Sequence, residues 1–323
     1  MVYDAGTTKE GRPYFVMEHI KGVSITKHCD EQRLDIKERL ELFLQVCEGF
    51  QHAHHKGIIQ RDIKPSNILV VIEGDKAVPK IIDFGVAKAL TQPLTEHTLF
   101  TEEGRLIGTP EYMSPEQASM TAQDIDTRSD IYSLGILLYE LLSGTLPFDR
   151  DVLEQEGISE IQRIVREQES PHPSTQLLNL GENAKDIALN RRTDVGTLVK
   201  RLRKELEWIP LMAMRKERSH RYRSVAELAD DIRNYLNNAP LIAGPESATY
   251  RLKKVFYKHR AHMTSITVVF LVLTVGVVIT TILLIKLEQQ EALIDDLITK
   301  VSVGSDEVRN LRDMVHKLID KSP

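Results

Sequence analysis

Residues 263–285 constrain the fold of this chain more than any other stretch. The segment is 23 residues long and carries no charged side chain, and 15 of its residues are Leu, Ile, Val or Phe. A helix of this length rises about 35 Å, which is enough to cross a hydrocarbon core of roughly 30 Å. A helix buried in a soluble protein rarely runs so far without a polar face. The segment therefore predicts one transmembrane helix.

The charges on either side of this segment predict its orientation. Basic residues precede it, namely Arg251, Lys253, Lys254, Lys258 and Arg260. Mostly acidic residues follow it, namely Glu288, Glu291, Asp295 and Asp296 against Lys286. Because basic flanks stay on the cytoplasmic side, we expect a single-pass protein of the cell (inner) membrane. Residues 1–260 are then cytoplasmic and the C-terminal tail is extracytoplasmic.

The tail after the apolar segment has a seven-residue period. One seam position is filled by Leu287, Ile294, Val301, Val308 and Val315, and the other by Leu297, Leu311 and Leu318. β-Branched residues at one position with Leu at the other favour two-stranded coiled coils. Gln290 and Gly304 interrupt the pattern. The tail predicts a homodimer through a coiled coil, with a merely amphipathic helix as the alternative.

Overall composition excludes several classes of protein. The net charge of −5 and the pI near 6.1 argue against nucleic acid as a partner. The two cysteines, Cys29 and Cys47, form no paired spacing, which excludes a disulfide framework or a structural zinc site.

Hydrophobic spacing predicts the first long helix. One apolar stripe recurs at intervals of four and three residues, at Ile36, Leu40, Phe43, Cys47 and Phe50. Gly57 follows the stripe as a C-terminal cap would. Three histidines near the end of this helix lack carboxylate or cysteine company, which favours packing and helix surface over a metal site: His52, His54 and His55.

Other local patterns predict the remaining elements. Residues 3–8 and 14–18 indicate two short strands, and residues 68–72 and 80–82 bracket a charged turn, which is typical of a hairpin. Residues 130–142 are apolar on nearly every side and predict a helix buried all round.

Two polar patterns complete the helical part. Ser224 with Glu227 three residues later is a capping-box pattern that opens an amphipathic helix. The runs Arg191-Arg192 and Arg201-Leu-Arg-Lys204 are interpreted as solvated helix faces rather than docking sites.

Four polar side chains in the first third of the chain suit phosphoryl transfer. Asp62, Lys64 and Asn67 lie within six residues, and Asp83 follows 21 residues after Asp62. The reaction requires a positioned hydroxyl and neutralised phosphate charge. An aspartate can accept the hydroxyl proton, a lysine can reach the γ-phosphate, and an asparagine with a second aspartate can hold Mg²⁺. Each residue alone is a weak signal, but together they predict a catalytic loop.

These motifs resemble those of the protein kinase family. Residues 60–67, QRDIKPSN, match its HRDxxxxN catalytic loop apart from the first position, and residues 83–85, DFG, match its magnesium-binding motif. Residues 108–116, GTPEYMSPE, match the end of its activation segment, with SPE where APE is commonest. The resemblance covers residues 1 to about 238 and is best to bacterial, membrane-anchored, Hanks-type serine/threonine kinases.

The resemblance implies a role for each matched residue. Asp62 and Lys64 are the expected catalytic residues, Asn67 and Asp83 the expected Mg²⁺ ligands, and ATP the expected phosphoryl donor. Lys64 after Asp62 is the serine/threonine pattern, so the expected partner is a protein substrate with Ser or Thr hydroxyls. The other implied positions are the adenine hinge at Met17, Glu18 and Ile20, the activation segment at Arg61, Phe84, Gly85, Thr95, Thr98, Thr101, Thr109 and Glu116, and the structural residues Gln60, Asp130 and Arg221.

Arg61 supports a hypothesis about regulation. It precedes Asp62, as in kinases whose phosphorylated activation loop is held by that arginine. The candidate phosphorylation sites are Thr95, Thr98 and Thr101, and for each of them an ordinary solvated threonine is an equal alternative. A phosphate adds about −1.5 to −2 charge and can pair with an arginine.

Two departures from the family pattern matter. Gln60 stands where the family has a histidine, which predicts a modest loss of active-state stability. No Gly-rich loop or strand lysine precedes the hinge, so the sequence begins at what resembles the fourth strand of the N-terminal lobe. Two interpretations stay open. The chain is a kinase whose recorded start lies too far downstream, or an inactive kinase remnant that acts as a membrane-bound interaction or dimerisation protein.

The expected fold class is α+β. It is a protein-kinase-like fold with a mostly helical C-lobe and a remnant of the β-rich N-lobe, followed by one transmembrane helix and a short helical tail. The expected segments are the N-lobe remnant and hinge at 1–22, the C-lobe at 23–238, a basic juxtamembrane linker at 239–262, the transmembrane helix at 263–285 and the coiled-coil-like tail at 286–323.

Overall fold

The computed structural model describes residues 2–9, 13–82, 109–119, 125–148, 158–245, 247, 249–250, 252, 254 and 260–319. The chain forms two compact units, Met1–Lys258 and His259–Pro323. The first unit begins with strands and continues mostly as helices, which confirms the predicted α+β character.

The described strands form two small antiparallel sheets. They are β1 Val2–Thr7, β2 Pro13–Met17, β3 Val23–Ser24, β4 Ile68–Glu73 and β5 Lys76–Ile81. β1 pairs with β2, and β4 lies between β3 and β5 in a three-stranded sheet. The β4–β5 hairpin and the β1–β2 pair occur where the sequence predicts them.

Ten helices lie in the described part of the first unit. They are α1 Ile25–Glu31, α2 Ile36–His55, α3 Pro115–Ala118, α4 Thr127–Ser143, α5 Ile158–Glu167, α6 Pro173–Asn179, α7 Asn183–Leu189, α8 Val195–Arg201, α9 Trp208–Ala213 and α10 Val225–Leu236. A π-helical turn, Leu202–Leu206, joins α8 to α9.

Helix α2 is fixed at both ends by hydrogen bonds that its sequence encodes. At the start, the Asp35 carboxylate accepts from Glu38 N at 2.9 Å and the Glu38 carboxylate accepts from Asp35 N at 2.8 Å, a complete capping box. At the end, Gly57 adopts φ +72°, and its N–H donates to His54 O at 2.9 Å. The predicted apolar stripe between these caps is buried.

Helix α4 is the centre of the first unit and is buried along nearly its whole length. Helix α9 packs very close to it, because a Cβ on Gly135 would lie only 2.7 Å from the Cβ of Ala213 in α9. Glycine at this position therefore lets the two helices approach closely. The predicted helix buried all round is confirmed.

The capping pattern at the start of α10 is only half formed. Ser224 Oγ accepts from Glu227 N at 3.2 Å, as predicted. The Glu227 carboxylate, however, accepts from Arg223 N at 2.6 Å. Its oxygen therefore binds the backbone one residue before the expected partner.

The chain after α10 packs back onto the first unit instead of leaving it as a linker. Asp231 is fully buried and accepts from Tyr222 Oη at 2.7 Å, Ile242 N at 2.6 Å and Ala243 N at 2.9 Å. Further along, the Tyr250 ring packs edge-on against Trp208 with centroids 5.9 Å apart. Lys254 and Glu205 then form a buried ion pair. The predicted linker at 239–262 is thus anchored on the first unit at several points up to Lys254.

The second unit contains one long helix, α11 Arg260–Ile319. The apolar segment and the heptad tail, which the sequence divides at residue 285, are continuous within it. Val269–Val301 is long and apolar enough to cross a membrane, by length and composition. The described seam residues are exposed in the single chain, including Leu297, Val308 and Leu311.

Candidate active site

Three predicted site residues meet in the loop between α2 and β4. Lys64 Nζ lies 3.0 Å from Asp62 Oδ2. Asn67 Nδ2 donates to the backbone oxygen of Asp62 at 2.8 Å and to Asp62 Oδ2 at 3.1 Å. The Asp62 and Lys64 side chains are 26% and 23% exposed, so both are reachable from solvent while held in place.

Local sequence fixes this arrangement. Ile63 between the two charged residues is buried. The residues that follow form a tight 3₁₀ turn, Pro65–Asn67, with Pro65 at its first position and Asn67 N bonded to Lys64 O at 3.0 Å. Ile82 N donates to Asn67 O at 2.9 Å, which ties the end of the hairpin to the loop.

A buried carboxylate in α4 holds the start of the loop. Asp130 Oδ1 accepts from Arg61 N at 2.9 Å, and Asp130 Oδ2 accepts from Gln60 N at 2.9 Å. These bonds support Arg61 in the left-handed conformation, φ +63°, which costs energy in a residue other than glycine. The side chain of Gln60 is buried at the same point. The structure therefore brings Gln60, Arg61 and Asp130 together directly before Asp62.

Sequence reasoning missed one member of this group. His54 Nε2 lies 2.8 Å from Asp130 Oδ2, and the side chain of His54 is 6% exposed. The pattern at the end of α2 favours packing over a metal site, but it does not identify which histidine packs or against what. The sequence shows that His54 lies shortly before Gln60. It does not show that its partner is Asp130, which lies 76 residues away.

A second buried charge pair holds the described end of the activation segment. Arg221 Nη1 and Nη2 donate to the two carboxylate oxygens of Glu116 at 2.8 and 2.9 Å, and Ser129 Oγ donates to Glu116 Oε1 at 2.6 Å. Burial raises the pKa of Glu116, but the bonds and charge of Arg221 outweigh burial and leave the pKa below its usual value. The structure thus joins Glu116, which is predicted in the activation segment, to Arg221, which is predicted as a structural residue.

This pair is linked to the catalytic loop by a contact absent from the sequence motifs. Gln117 Nε2 donates to Arg61 O at 2.7 Å. Upstream, Thr109 O accepts from Tyr112 N at 3.1 Å in the turn Pro110–Tyr112. The segment from Thr109 to Gln117 therefore bonds both to itself and to the catalytic loop.

The remaining predicted positions are placed separately or fall outside the description. Met17 ends β2 with 46% of its surface exposed, Glu18 is exposed and Ile20 is partly buried. The other predicted residues lie outside the described residues: Asp83, Phe84, Gly85, Thr95, Thr98 and Thr101.

The donor chemistry of the loop fits a magnesium ion. Both hydrogen bonds of Asn67 to Asp62 use the amide nitrogen, so the Oδ1 atom is the part of this side chain available as a ligand. Mg²⁺ prefers amide and carboxylate oxygens. Asn67 is therefore suitable as one ligand, and Asp83, its expected companion, follows directly after Ile82.

A cavity of about 830 Å³ lies away from this chemistry. It is lined by residues 169–172, by α9 and by segments after α9, and Asp62, Lys64 and Asn67 do not contribute to it. The volume of this cavity alone does not make it a better candidate for the active site than the catalytic loop.

Comparison with known proteins gives matches to one family. A sequence model described as the protein kinase domain matches residues 2–208. Serine/threonine-protein kinase PknB of Mycolicibacterium smegmatis is 36% identical over 245 residues, covering 74% of this chain and 33% of that protein. PknB of Mycobacterium leprae is 34% identical over 236 residues, covering 72% and 32%. The chain thus spans about a third of the length of the curated relatives it matches.

Solved structures also match the chain, and one of them is a bacterial kinase domain. The kinase domain of Mycobacterium tuberculosis PknI, as a double mutant, superimposes with a TM-score of 0.47 and 20% sequence identity. The match covers 75% of this chain and 71% of that chain.

Proposed function

The chain belongs to the protein kinase family, in its serine/threonine class, and from this premise we propose that it is a membrane-anchored signalling kinase. It transfers the γ-phosphoryl group of ATP to Ser or Thr hydroxyls of protein substrates. The observation that carries this proposal is the joint geometry of Asp62, Lys64 and Asn67. A carboxylate, a cation and an amide held together in one loop support the proposal.

Each side chain has a distinct part in the reaction. The contacts from Lys64 and Asn67 to the Asp62 carboxylate both go to Oδ2, so we assign Oδ1 to accept the proton of the attacking hydroxyl. Lys64 lies beside this carboxylate and places a positive charge where the transferred phosphoryl group becomes more negative. Asn67 fixes the orientation of Asp62 through two bonds.

Asn67 and Asp83 are the proposed Mg²⁺ ligands. When bound, Mg²⁺ neutralises charge on the phosphates of ATP. The chain's own contribution is to hold the Asn67 amide with its nitrogen toward Asp62, which leaves its oxygen for the metal.

The apolar part of α11 supports the membrane anchor in this proposal. We assign the basic side, residues 1–260, to the cytoplasm and the tail to the opposite side, because basic flanks are retained in the cytoplasm. The exposed heptad residues of the tail support a homodimer, since a seam of Leu and β-branched residues is stabilised when a second helix covers it.

The test compares two carboxylate variants of the gene product, each purified from its native membrane. Phosphoryl transfer from Mg-ATP to a Ser/Thr-rich acceptor protein is measured with labelled ATP. Asp62→Asn should lower the rate by about 10²-fold or more, because a general base contributes roughly 10²–10⁴-fold. Asp75→Asn, in the exposed hairpin turn, is the matched control and should retain the wild-type rate.

Two outcomes would contradict the proposal. Equal rates for Asp62→Asn and wild type would remove Asp62 from the reaction. No transfer by the wild-type protein would favour the inactive remnant, acting as an interaction or dimerisation protein.

A further inference from the structure

We propose that a cationic cavity on the first unit binds the phosphate-bearing headgroups of an acidic bilayer surface. This contact attaches the first unit to the membrane at a second point, in addition to helix α11. The inference rests on the membrane anchoring in the proposed function.

The cavity has a volume of about 440 Å³ and a wall of cations. We call it the cationic cavity. Its basic residues come from the start of α2, the end of α8 and the π-helical turn: Lys37, Lys200, Arg201 and Lys204. All four are exposed. Sequence reasoning assigns Arg201 and Lys204 to a solvated helix face, whereas the structure gathers them with the other two around one concave surface.

The positive charge of the cavity is not cancelled by neighbouring acids. Glu205 is the one carboxylate in its described lining, and it is buried and paired with Lys254. Lys37 lies 3.6 Å from Glu41 in an exposed pair that has little strength. Within the described residues, Lys200, Arg201 and Lys204 have no ion-pair partner. Three cations thus remain available to an anionic ligand.

The backbone at this point is unusual in a way that shapes the cavity. Leu202–Leu206 is a π-helical turn, a rare conformation that widens the helix and often occurs at functional sites. This turn carries both Lys204, which has no ion-pair partner among the described residues, and Glu205, whose charge is neutralised by Lys254. Glu205 binds inward to Lys254, while Lys204 stays exposed at the cavity.

Apolar residues in the lining, beside the polar Thr197 and Asn238, favour a lipid headgroup over a free anion. Ile36 is buried at the cavity, and Tyr235 and Leu236 contribute partly buried apolar surface beside the cations. A surface with an apolar part and a cationic rim complements the glycerol and phosphate regions of a phospholipid. A small soluble phosphate would contact the cations alone.

Chain length brings the cavity within reach of the bilayer. Lys254 is fixed to Glu205 in the cavity wall, and Met263 begins the uncharged segment nine residues later. Nine extended residues span about 30 Å at most. Further basic residues in this interval, such as Lys258 and Arg260, add charge of the same sign. Basic residues next to an apolar segment are attracted to acidic lipids.

The test measures protection of individual lysines in lipid nanodiscs. The full chain is inserted into discs of phosphatidylcholine alone or of phosphatidylcholine mixed with phosphatidylglycerol. A water-soluble acylating reagent is added, and modification is quantified for each lysine by mass spectrometry. Acidic discs should slow acylation of Lys200 and Lys204 by about fivefold, and high salt should remove this protection. Lys27 and Lys185 do not line the cavity and should react equally in both kinds of disc.

A pair of triple variants with equal net charge separates the cavity from general charge effects. The cavity variant is Lys200→Gln, Arg201→Gln and Lys204→Gln, and the matched control is Lys27→Gln, Lys80→Gln and Lys185→Gln. Lys37 serves as the remaining reporter in the cavity. Acidic discs should protect Lys37 in the control variant and not in the cavity variant. Equal protection of Lys37 in both variants would overturn the proposal.

The other outcomes separate the possible failures. If the chain inserts into neutral discs but no cavity lysine is protected in acidic ones, the headgroup site is wrong and the anchor stands. If the chain fails to insert into either disc, the anchoring part of the proposed function fails. If inorganic phosphate protects the same lysines in neutral discs, the cavity is a soluble-anion site and the lipid assignment is overturned.

Discussion

Replacement of Asp130 by asparagine tests whether this carboxylate holds the catalytic loop. Asp130 is 1% exposed, and its two oxygens accept from Gln60 N and Arg61 N at 2.9 Å, with His54 Nε2 at 2.8 Å. Asparagine has nearly the same shape but offers one acceptor oxygen instead of two. Whichever way its amide turns, its NH₂ group faces at least one backbone N–H. The variant therefore removes bonds without opening a cavity.

The size of the effect follows from these contacts. A hydrogen bond to a charged group is worth about 1.5–3 kcal/mol, and a buried donor left unsatisfied costs about 1–3 kcal/mol. Losing one such bond and leaving one backbone donor unpaired gives a loss of about 2.5–6 kcal/mol. This is a large part of the roughly 5–15 kcal/mol that stabilises a domain. Because Arg61 is held at φ +63° by the same carboxylate, it should relax first.

Urea unfolding of the full chain in detergent measures this loss. Trp208, the one tryptophan of the sequence, lies in α9 of the first unit and reports its unfolding by fluorescence. Asp230→Asn is the control, since Asp230 is exposed and should change the unfolding free energy by less than about 0.5 kcal/mol. Amide exchange at Gln60 and Arg61 should accelerate only in Asp130→Asn. An unfolding free energy equal to that of the control, with slow exchange at both amides, would refute the assigned role.

Two further predictions concern Glu116, which is buried, and Glu140, which is partly buried. Arg221→Met leaves Glu116 without its cation and should lower the unfolding free energy by about 3–5 kcal/mol. Adding Glu116→Gln to this variant should recover part of the loss. If the losses of the two single variants simply add in the double variant, the pairing is contradicted. Burial raises the pKa of Glu140 from 4.5 to about 7 although Tyr112 Oη donates to it. The folded state therefore binds the proton more tightly than the unfolded state, so stability should fall from about pH 4.5 to pH 7. Glu140→Gln should flatten this decline in Tm, and an unchanged slope would contradict the shift.

Elements with a local cause could be predicted from the sequence. The α2 stripe repeats every three to four residues, and a glycine stands where the helix needs a positive φ, so both the helix and its end follow from nearby residues. Helix α4 is apolar on nearly every side, which only a central position can satisfy. In the catalytic loop, Asp62, Lys64 and Asn67 lie so close in sequence that their contact needs little else.

Contacts between distant segments could not be predicted in this way. Gln117 bonds to Arg61 across 56 positions, and no spacing in the sequence indicates that pair. The prediction of a solvated face at Arg191 was wrong for a physical reason. Its guanidinium is buried and donates to the oxygens of Glu140, Leu141 and Leu142. These carbonyls lie in the last turn of α4, where Glu140 O also accepts from Gly144 N at 2.8 Å. Carbonyls in the last turn of a helix lack intrahelical donors, so this buried helix end required donors from elsewhere.

The packed segment after α10 changes how far the catalytic unit can act from a membrane anchor. A free linker over residues 239–262 would have 24 extended residues, which reach about 80 Å. With Asp231 binding the start of this segment and Glu205 binding Lys254, the eight residues 255–262 remain before Met263, and the nine steps from Lys254 to Met263 reach about 30 Å at most. Loss of the Lys254–Glu205 contact alone would lengthen the available chain only as far back as the next fixed point, at Tyr250. Under the proposed membrane anchoring, several contacts in series would set the length of chain between the first unit and the apolar segment.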